Sequence, residues 1–198
     1  MRIALFDSGI GGLTVLSHAR RALPSEEFLF FADRDHVPYG TKSVPAVRGY
    51  VRAAFQFLVE QQKADAVVVA CNTATSVAVD EMRRLYDVPI IGMEPAVKKA
   101  LEQDSERRVL VTATPITING EKLHRLVSAY DTNGLVDLLA LPRLVELAER
   151  REFVSACVEE YLWNALASYD LLKYSAIVLG CTHFNYFKDT LRRLLPKT

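Results

Sequence analysis

Seven short apolar runs punctuate the chain, and the stretches between them carry helical spacing. The runs are Ile3 to Phe6, Phe28 to Phe31, Ala66 to Ala70, Val88 to Ile91, Val109 to Val111, Val136 to Leu139 and Ile177 to Leu179. Leu13, Leu16, Ala19 and Leu23 recur at the intervals of an amphipathic helix, as do Tyr50, Val51, Ala54, Phe55, Leu58 and Val59. Strands that alternate with helices pair in parallel, because each crossover helix returns the chain to the same end of the sheet. Ala66 to Ala70 is apolar at every position, the pattern of a strand covered on both faces. The predicted class is α/β with parallel sheets. Seven strands are many for one small sheet, and the fourth run ends near Gly92–Glu94. The reading is therefore two α/β domains, 1–92 and 93–198, with the active site in the cleft between them.

Half of the 198 residues are hydrophobic, enough for a core in one large domain or two small ones. The 24 basic residues are matched by 24 acidic ones, which argues against a nucleic-acid partner. The first apolar run stops at Asp7, too early for a secretory signal, and no run approaches the roughly 18 apolar residues of a membrane span. Three cysteines, an odd number and widely spaced, read as thiols in a reducing cytoplasm rather than as a disulfide framework. No Cys-x-x-Cys pair marks a metal site.

One pattern occurs twice. Val67-Val68-Val69-Ala70-Cys71-Asn72-Thr73 parallels Ile177-Val178-Leu179-Gly180-Cys181-Thr182-His183, and the two cysteines lie 110 residues apart. Each follows an apolar strand, at the carboxyl end where open α/β sheets bind ligands, and each precedes a predicted helix. A helix N-terminus presents free N–H groups that favour a thiolate. Burial as small hydrophobes is the competing reading for either cysteine alone; the repeated polar context favours chemistry for the pair. Cys157 sits among Val154, Val158, Tyr161 and Leu162 at helical spacing and reads as core.

Asp7 ends the first strand and opens Asp7-Ser8-Gly9-Ile10-Gly11-Gly12. Glycines here let backbone N–H groups approach an anion. The dinucleotide fingerprint fails because Thr14 replaces its third glycine, although Asp33 stands where its acidic residue belongs; the phosphate loop fails because Leu13 follows Gly12. Asp7 also reads as a helix cap. Asp33 to Thr41, with Pro38 and Gly40, is a turn at the same sheet edge and reads as a substrate loop or as ordinary surface. Thr114 and Thr117 offer hydroxyls to a carboxylate or simply start a helix. His183 is placed to pair with Cys181, or reads as a helix-capping or surface histidine. Glu146 reads as solvated.

At Cys71-Asn72-Thr73-Ala74, Gly180-Cys181-Thr182-His183 and Phe6-Asp7-Ser8-Gly9-Ile10-Gly11-Gly12, the chain resembles the glutamate racemase family of the aspartate/glutamate racemase superfamily. Ala32-Asp33, His36 through Lys42, and Pro89 through Ala96 add two further blocks in the family's order. The resemblance implies that Cys71 and Cys181 are catalytic acid/bases, with Asp7 and His183 as their flanking catalytic partners. It implies substrate contacts from Asp7, Ser8, Pro38, Tyr39, Gly40, Asn72, Thr73, Thr114, Thr117, Thr182 and His183, and places Glu146 where the family often has a glutamate near the second cysteine. Asn185 stands in place of a proline, and Thr112 to Thr117 lacks a glycine of the commoner pattern. Family members usually continue for several tens of residues beyond Pro196 and so complete the first domain's sheet. The expectation here is a first domain without that return segment, with an exposed edge that favours a homodimer.

The function expected from the resemblance is cofactor-independent interconversion of L- and D-glutamate in the cytoplasm, supplying D-glutamate for peptidoglycan. Two thiols on opposite faces of the α-carbon avoid moving one base around the carbanion, and no residue context marks a Schiff-base lysine. The Pro38-Tyr39-Gly40 loop and the Met93-Glu94-Pro95 block point to glutamate rather than aspartate. Two rivals stay open: a cysteine hydrolase with Cys181 as nucleophile and His183 as base, and a catalytically impaired amino-acid-binding module.

Overall fold

The computed structural model describes residues 1–194. The chain divides into two compact units, Met1–Glu94 and a second that begins at Pro95. The first alternates β1 (Arg2–Asp7), α1 (Leu13–Ala22), β2 (Glu27–Ala32), α2 (Val44–Phe55), β3 (Ala66–Val69), α3 (Asn72–Leu85) and β4 (Ile90–Gly92). The second runs α4 (Val97–Gln103), β5 (Arg108–Ala113), α5 (Pro115–Ile118), α6 (Glu121–Tyr130), β6 (Val136–Ala140), α7 (Arg143–Glu149), α8 (Ala156–Leu166) and β7 (Tyr174–Leu179). A 3₁₀ stretch, Thr182–Phe187, and α9 (Lys188–Leu194) follow. The expectation attached to the chain end, Pro196 to Thr198, lies outside the described residues.

Every ladder is parallel, as the alternation of apolar runs and helices requires. The first sheet has the order β2-β1-β3-β4 and the second β6-β5-β7. In each, the chain leaves a central strand, forms the neighbour on one side, then crosses to the other. The two sheets thus repeat one order, β2-β1-β3 in the first and β6-β5-β7 in the second. Their switch points lie beyond the carboxyl ends of β1 and β3, and of β5 and β7. Such a point is where adjacent loops diverge and leave a crevice.

Local chemistry sets the elements. Ser43 caps α2 by accepting from Ala46 N–H at 3.3 Å, with Pro45 in the first turn, where its missing donor costs nothing. Val47, Val51, Ala54 and Phe55 form its buried stripe, and the chain continues as a π-helical turn, Gln56–Gln61, that buries Leu58. In the second unit, Val97, Ala100, Val109, Val111, Leu123 and Val178 form a core between α4, α6 and the sheet. At the amino end of that sheet Arg108 donates to both Asp137 oxygens, at 2.5 and 2.6 Å, and Tyr174 O–H donates to the same carboxylate at 2.5 Å. This polar cluster lies at the opposite end of the strands from the switch point.

Three sequence expectations shift. The fourth strand begins at Ile90 rather than Val88, since Pro89 has no N–H for the ladder. The seventh starts three residues early, at Tyr174, and pairs with Arg108 and Val109 across a register irregularity. Cys157 is half-buried rather than core. The helix begins at Ala156, so Val154 is outside it and 75% exposed; the buried stripe is Val158, Leu162 and Leu166, and Cys157 lies off it. The Cys157 Sγ instead accepts from Arg143 Nη2 at 3.1 Å.

Candidate active site

In the first unit the ends of β1 and β3 carry Asp7-Ser8 and Cys71. These are brought together: the Cys71 thiol donates to Ser8 Oγ at 3.6 Å, and all three residues are buried. Cys71 is also the N-cap of α3, where its Sγ accepts from Ala74 N–H at 3.4 Å. A donor aimed at sulfur favours the thiolate, and fourteen residues of helix stand behind it. Asp7 accepts from Gly9 N–H at 2.9 Å. Its reading as a helix cap is corrected, because the caps of the following 3₁₀ turn and of α1 are Gly9 and Gly12. Gly12 serves close approach: a Cβ there would stand 2.6 Å from Asp7 Cβ.

The loop after β2 folds over its own acid. Asp33 Oδ2 accepts from Tyr39 O–H at 2.6 Å, and Asp33 Oδ1 lies 2.7 Å from His36 Nδ1. His36 stacks on Tyr50 with ring centroids 3.8 Å apart. Asp33 therefore organises the Pro38-Tyr39-Gly40 turn, which displaces its role in a nucleotide fingerprint. Tyr39 and Gly40 are buried and Pro38 precedes them in extended backbone. Burial first, then the bond to Asp33 and the negative charges of Asp33, Cys71 and Asp7, hold the Tyr39 phenol far above its ordinary range. It stays a neutral donor at every working pH, within electrostatic reach of Cys71 and Asp7. Asn72 and Thr73, in the first turn of α3, are buried, and Asn72 Nδ2 donates to Met93 O at 3.1 Å.

The second unit repeats the placement with different surroundings. Thr114 follows the end of β5 and Cys181 the end of β7, and Gly180 N–H donates to Thr112 O at 2.7 Å. Thr114 caps α5, accepting from Thr117 N–H, and the two hydroxyls lie 3.1 Å apart. Both are buried, so the pair starts the helix and still presents oxygens at the sheet end. Cys181 heads a 3₁₀ helix instead of the α-helix expected, and its sulfur makes no capping hydrogen bond. Its companion is His183, with Nδ1 at 3.9 Å from Sγ. His183 is 1% exposed, which corrects its reading as a surface residue, and Thr182 is buried beside it.

His183 Nε2 lies 2.6 Å from Glu149 Oε1. A carboxylate only accepts, so Nε2 carries the hydrogen and, in the neutral ring, Nδ1 presents its lone pair to the thiol. Glu149 is the residue the sequence reading missed. The glutamate singled out there, Glu146, is exposed. α7 buries Leu144, Val145, Leu147 and Ala148, so position 146 points away from the core while 149 lies at the edge of the stripe. That periodicity was the available signal.

Among the described residues no helix is long and apolar enough to cross a membrane, and no group of three His, Cys, Asp or Glu could hold a metal ion. A family model described as Asp/Glu/Hydantoin racemase matches residues 13–198. The chain belongs to the Asp/Glu/Hydantoin racemase family. Members of this racemase family are isomerases by class. A glutamate racemase of Campylobacter curvus is 54% identical over 99% of this chain and 76% of its own length. Glutamate racemase 2 of Bacillus subtilis is 51% identical over 98% of this chain and 74% of its length. In three dimensions the chain is similar to Escherichia coli glutamate racemase in complex with L-glutamate and the activator UDP-MurNAc-Ala. That match has a TM-score of 0.88 at 30% identity, over 99% of this chain and 74% of that one.

Proposed function

We propose that the chain interconverts L- and D-glutamate without a cofactor, with Cys71 and Cys181 as the two acid/bases. The observation that carries this reading is the repeated placement: each parallel sheet carries one buried cysteine at its switch point, beside a hydroxyl or an imidazole. The racemase family and the named relatives, at more than half identity, support glutamate as the substrate. One thiolate removes the α-proton from one face and the other thiol delivers a proton to the opposite face. The pair ends with its proton moved from one sulfur to the other, and the reverse reaction restores it. Asp7 and His183 are the groups that accompany each thiol.

The carbanion is stabilised by fixed donors rather than by water. Ser8, Asn72, Thr73, Thr114, Thr117 and Thr182, with backbone N–H groups and the Pro38-Tyr39-Gly40 turn, hold the substrate. None of these is Lys or Arg, so the side-chain carboxylate is held by hydroxyl and amide donors. D-Glutamate made in the cytoplasm for peptidoglycan is the biological output in this reading. The test is to incubate each enantiomer of glutamate with the chain and follow optical rotation. Decay toward zero from both sides is expected; an unchanged signal from either overturns the assignment.

The Glu149–His183–Cys181 series also resembles the acid–base–nucleophile order of a cysteine hydrolase. In that reading Cys71 is dispensable, and a thioester on Cys181 accumulates with activated acyl substrates. Racemisation by the unsubstituted chain that is lost in Cys71→Ser supports the two-base reading, whereas no racemisation by the unsubstituted chain together with thioester formation that survives Cys71→Ser supports the hydrolase.

A further inference from the structure

We infer that Thr75 is a positioning residue for Cys71, closing the strand-to-helix turn that carries the thiol. The inference rests on the reading of Cys71 as an acid/base. Thr75 lies early in α3 and is 1% exposed. Its hydroxyl donates backwards to Val69 O at 3.2 Å, two residues before Cys71, and its N–H donates to Cys71 O at 2.9 Å. The turn from Val69 to Asn72 is thus held from both sides by one residue. The same hydroxyl accepts from Met93 N–H at 3.1 Å, an N–H shared with Val69 O at 3.2 Å. Asn72 Nδ2 takes the carbonyl of the same Met93. The segment leaving β4 is therefore fastened by both of its polar groups to the start of α3.

Packing leaves little room for an alternative arrangement. A Cβ built at Gly92 would lie 2.7 Å from the Thr75 methyl and 3.3 Å from Val79 Cγ2, so strand and helix meet at van der Waals contact. Thr75 joins three stretches of backbone: its hydroxyl holds the end of β3 and the exit of β4, and its N–H holds the start of α3. The bond that favours a Cys71 thiolate, Ala74 N–H to Sγ, belongs to this turn. Loosening the turn lengthens that bond and leaves the sulfur with less donor support. Tyr39, in the turn after β2, is coupled to the charges of Cys71 and Asp7, and β3 and β4 carry no ionisable side chain. The Glu81 pairs with Arg48 and Arg52 belong to the later turns of α3 and to α2. Substituting Thr75 alters none of these charges.

The test uses Thr75→Val, which keeps the shape and removes the hydroxyl, Thr75→Ala, which removes it with less bulk, and Thr75→Ser, which restores it. Alkylation by iodoacetamide is followed for each cysteine-containing peptide by mass spectrometry as a function of pH, below the melting temperature of every variant. In Thr75→Val and Thr75→Ala the midpoint for Cys71 is expected to rise by about one pH unit, the shift equivalent to loss of one good hydrogen bond. The Cys181 midpoint is expected to stay in place and Thr75→Ser to restore that of Cys71. In the racemisation assay, kcat/KM for glutamate at neutral pH falls about tenfold in the two hydroxyl-free variants. A variant that melts earlier but keeps the Cys71 midpoint shows a purely structural Thr75 and overturns the inference. The thiol readout does not depend on turnover, so a wild-type chain that fails to racemise glutamate overturns the function and leaves this test standing.

Discussion

Replacing Glu149 by glutamine measures what the carboxylate behind His183 contributes. Its Oε1 lies 2.6 Å from Nε2 of an imidazole whose side chain is 2% exposed, while the carboxylate itself is 17% exposed. A hydrogen bond to a charged group contributes about 1.5–3 kcal/mol, and one between neutral groups about 0.5–1.5. The glutamine amide keeps an oxygen for the Nε2–H, so the loss is the difference between the two, about 1–1.5 kcal/mol, or roughly tenfold in rate. Glu149→Ala also leaves a buried N–H without this acceptor, which adds about 1–3 kcal/mol and takes the fall to about a hundredfold or more.

The assay is kcat/KM for L- and D-glutamate at pH 7. The enantiomers have equal free energy, so the two values must fall together even though both substitutions touch only the Cys181 side. Glu146→Gln, on the exposed face of the same helix, is the control and should match wild type. Wild-type kcat/KM in Glu149→Gln and in Glu149→Ala refutes the idea that the Glu149–His183 contact supports the thiol.

Cys71→Ser and Cys181→Ser should each abolish racemisation in the optical assay, because a hydroxyl is too weak an acid to replace a thiol, whereas Cys157→Ser should keep full turnover; activity in either of the first two sinks the two-base mechanism. In heavy water, product of either hand should carry α-deuterium from the earliest time points, read by proton NMR, and product that retains the substrate's own proton points to a single mobile base. The third expectation concerns acid stability. The hydrogen bonds from Arg108 hold the Asp137 carboxyl below its ordinary range, so its contribution is present above the unfolded value, near pH 4, and is lost as pH falls through the lower folded value. The pair is about one-third exposed, so Asp137→Asn should cost only about 1 kcal/mol at pH 7 in urea unfolding, and the gap to wild type should narrow as pH falls below the unfolded carboxylate value; a gap that does not narrow on acidification contradicts the linkage.

The fold was legible because its signal is repetitive. Seven apolar runs at βα spacing leave parallel pairing as the arrangement that satisfies all of them, and errors fell only at ends, as where Pro89 removes a ladder donor. Positions at the carboxyl ends of strands were legible for the same reason, since Asp7, Cys71, Thr114 and Cys181 each stand at or just beyond the end of an apolar run. The partners of these residues were not. Glu149 meets His183 across 34 residues of chain, and nothing local distinguishes it from Glu146 except which side of a short helix is buried. Asp33 looked like part of a nucleotide motif because its place after β2 is shared with such motifs. Its partners Tyr39 and His36 are set by the loop's own folding. Thr75 carries no signal at all in isolation, because a threonine early in a helix is ordinary until the β4 exit is seen to cross it.

The two cysteines occupy equivalent places in equivalent strand orders but are not chemically equivalent. Cys71 gets support from backbone: it caps a fourteen-residue helix, and its sulfur receives an amide N–H. Cys181 heads a 3₁₀ helix, makes no such capping bond, and relies on an imidazole backed by a carboxylate. Substrate and product that are mirror images give no thermodynamic reason to prefer one direction, yet in the proposed two-base mechanism the two thiols exchange roles at every turnover. A thiol that is supported by fixed dipoles responds little to its own protonation, because amide donors do not titrate. A thiol backed by histidine has a neighbour able to take or return charge. Perturbations on the two sides should therefore differ in kind. Changes at Thr75 should move the Cys71 titration without adding or removing an ionisable group. Changes at Glu149 should act through the imidazole and leave the Cys71 titration where it was, so alkylation of Cys71 in Glu149→Gln is the measurement that tests whether the two supports are independent.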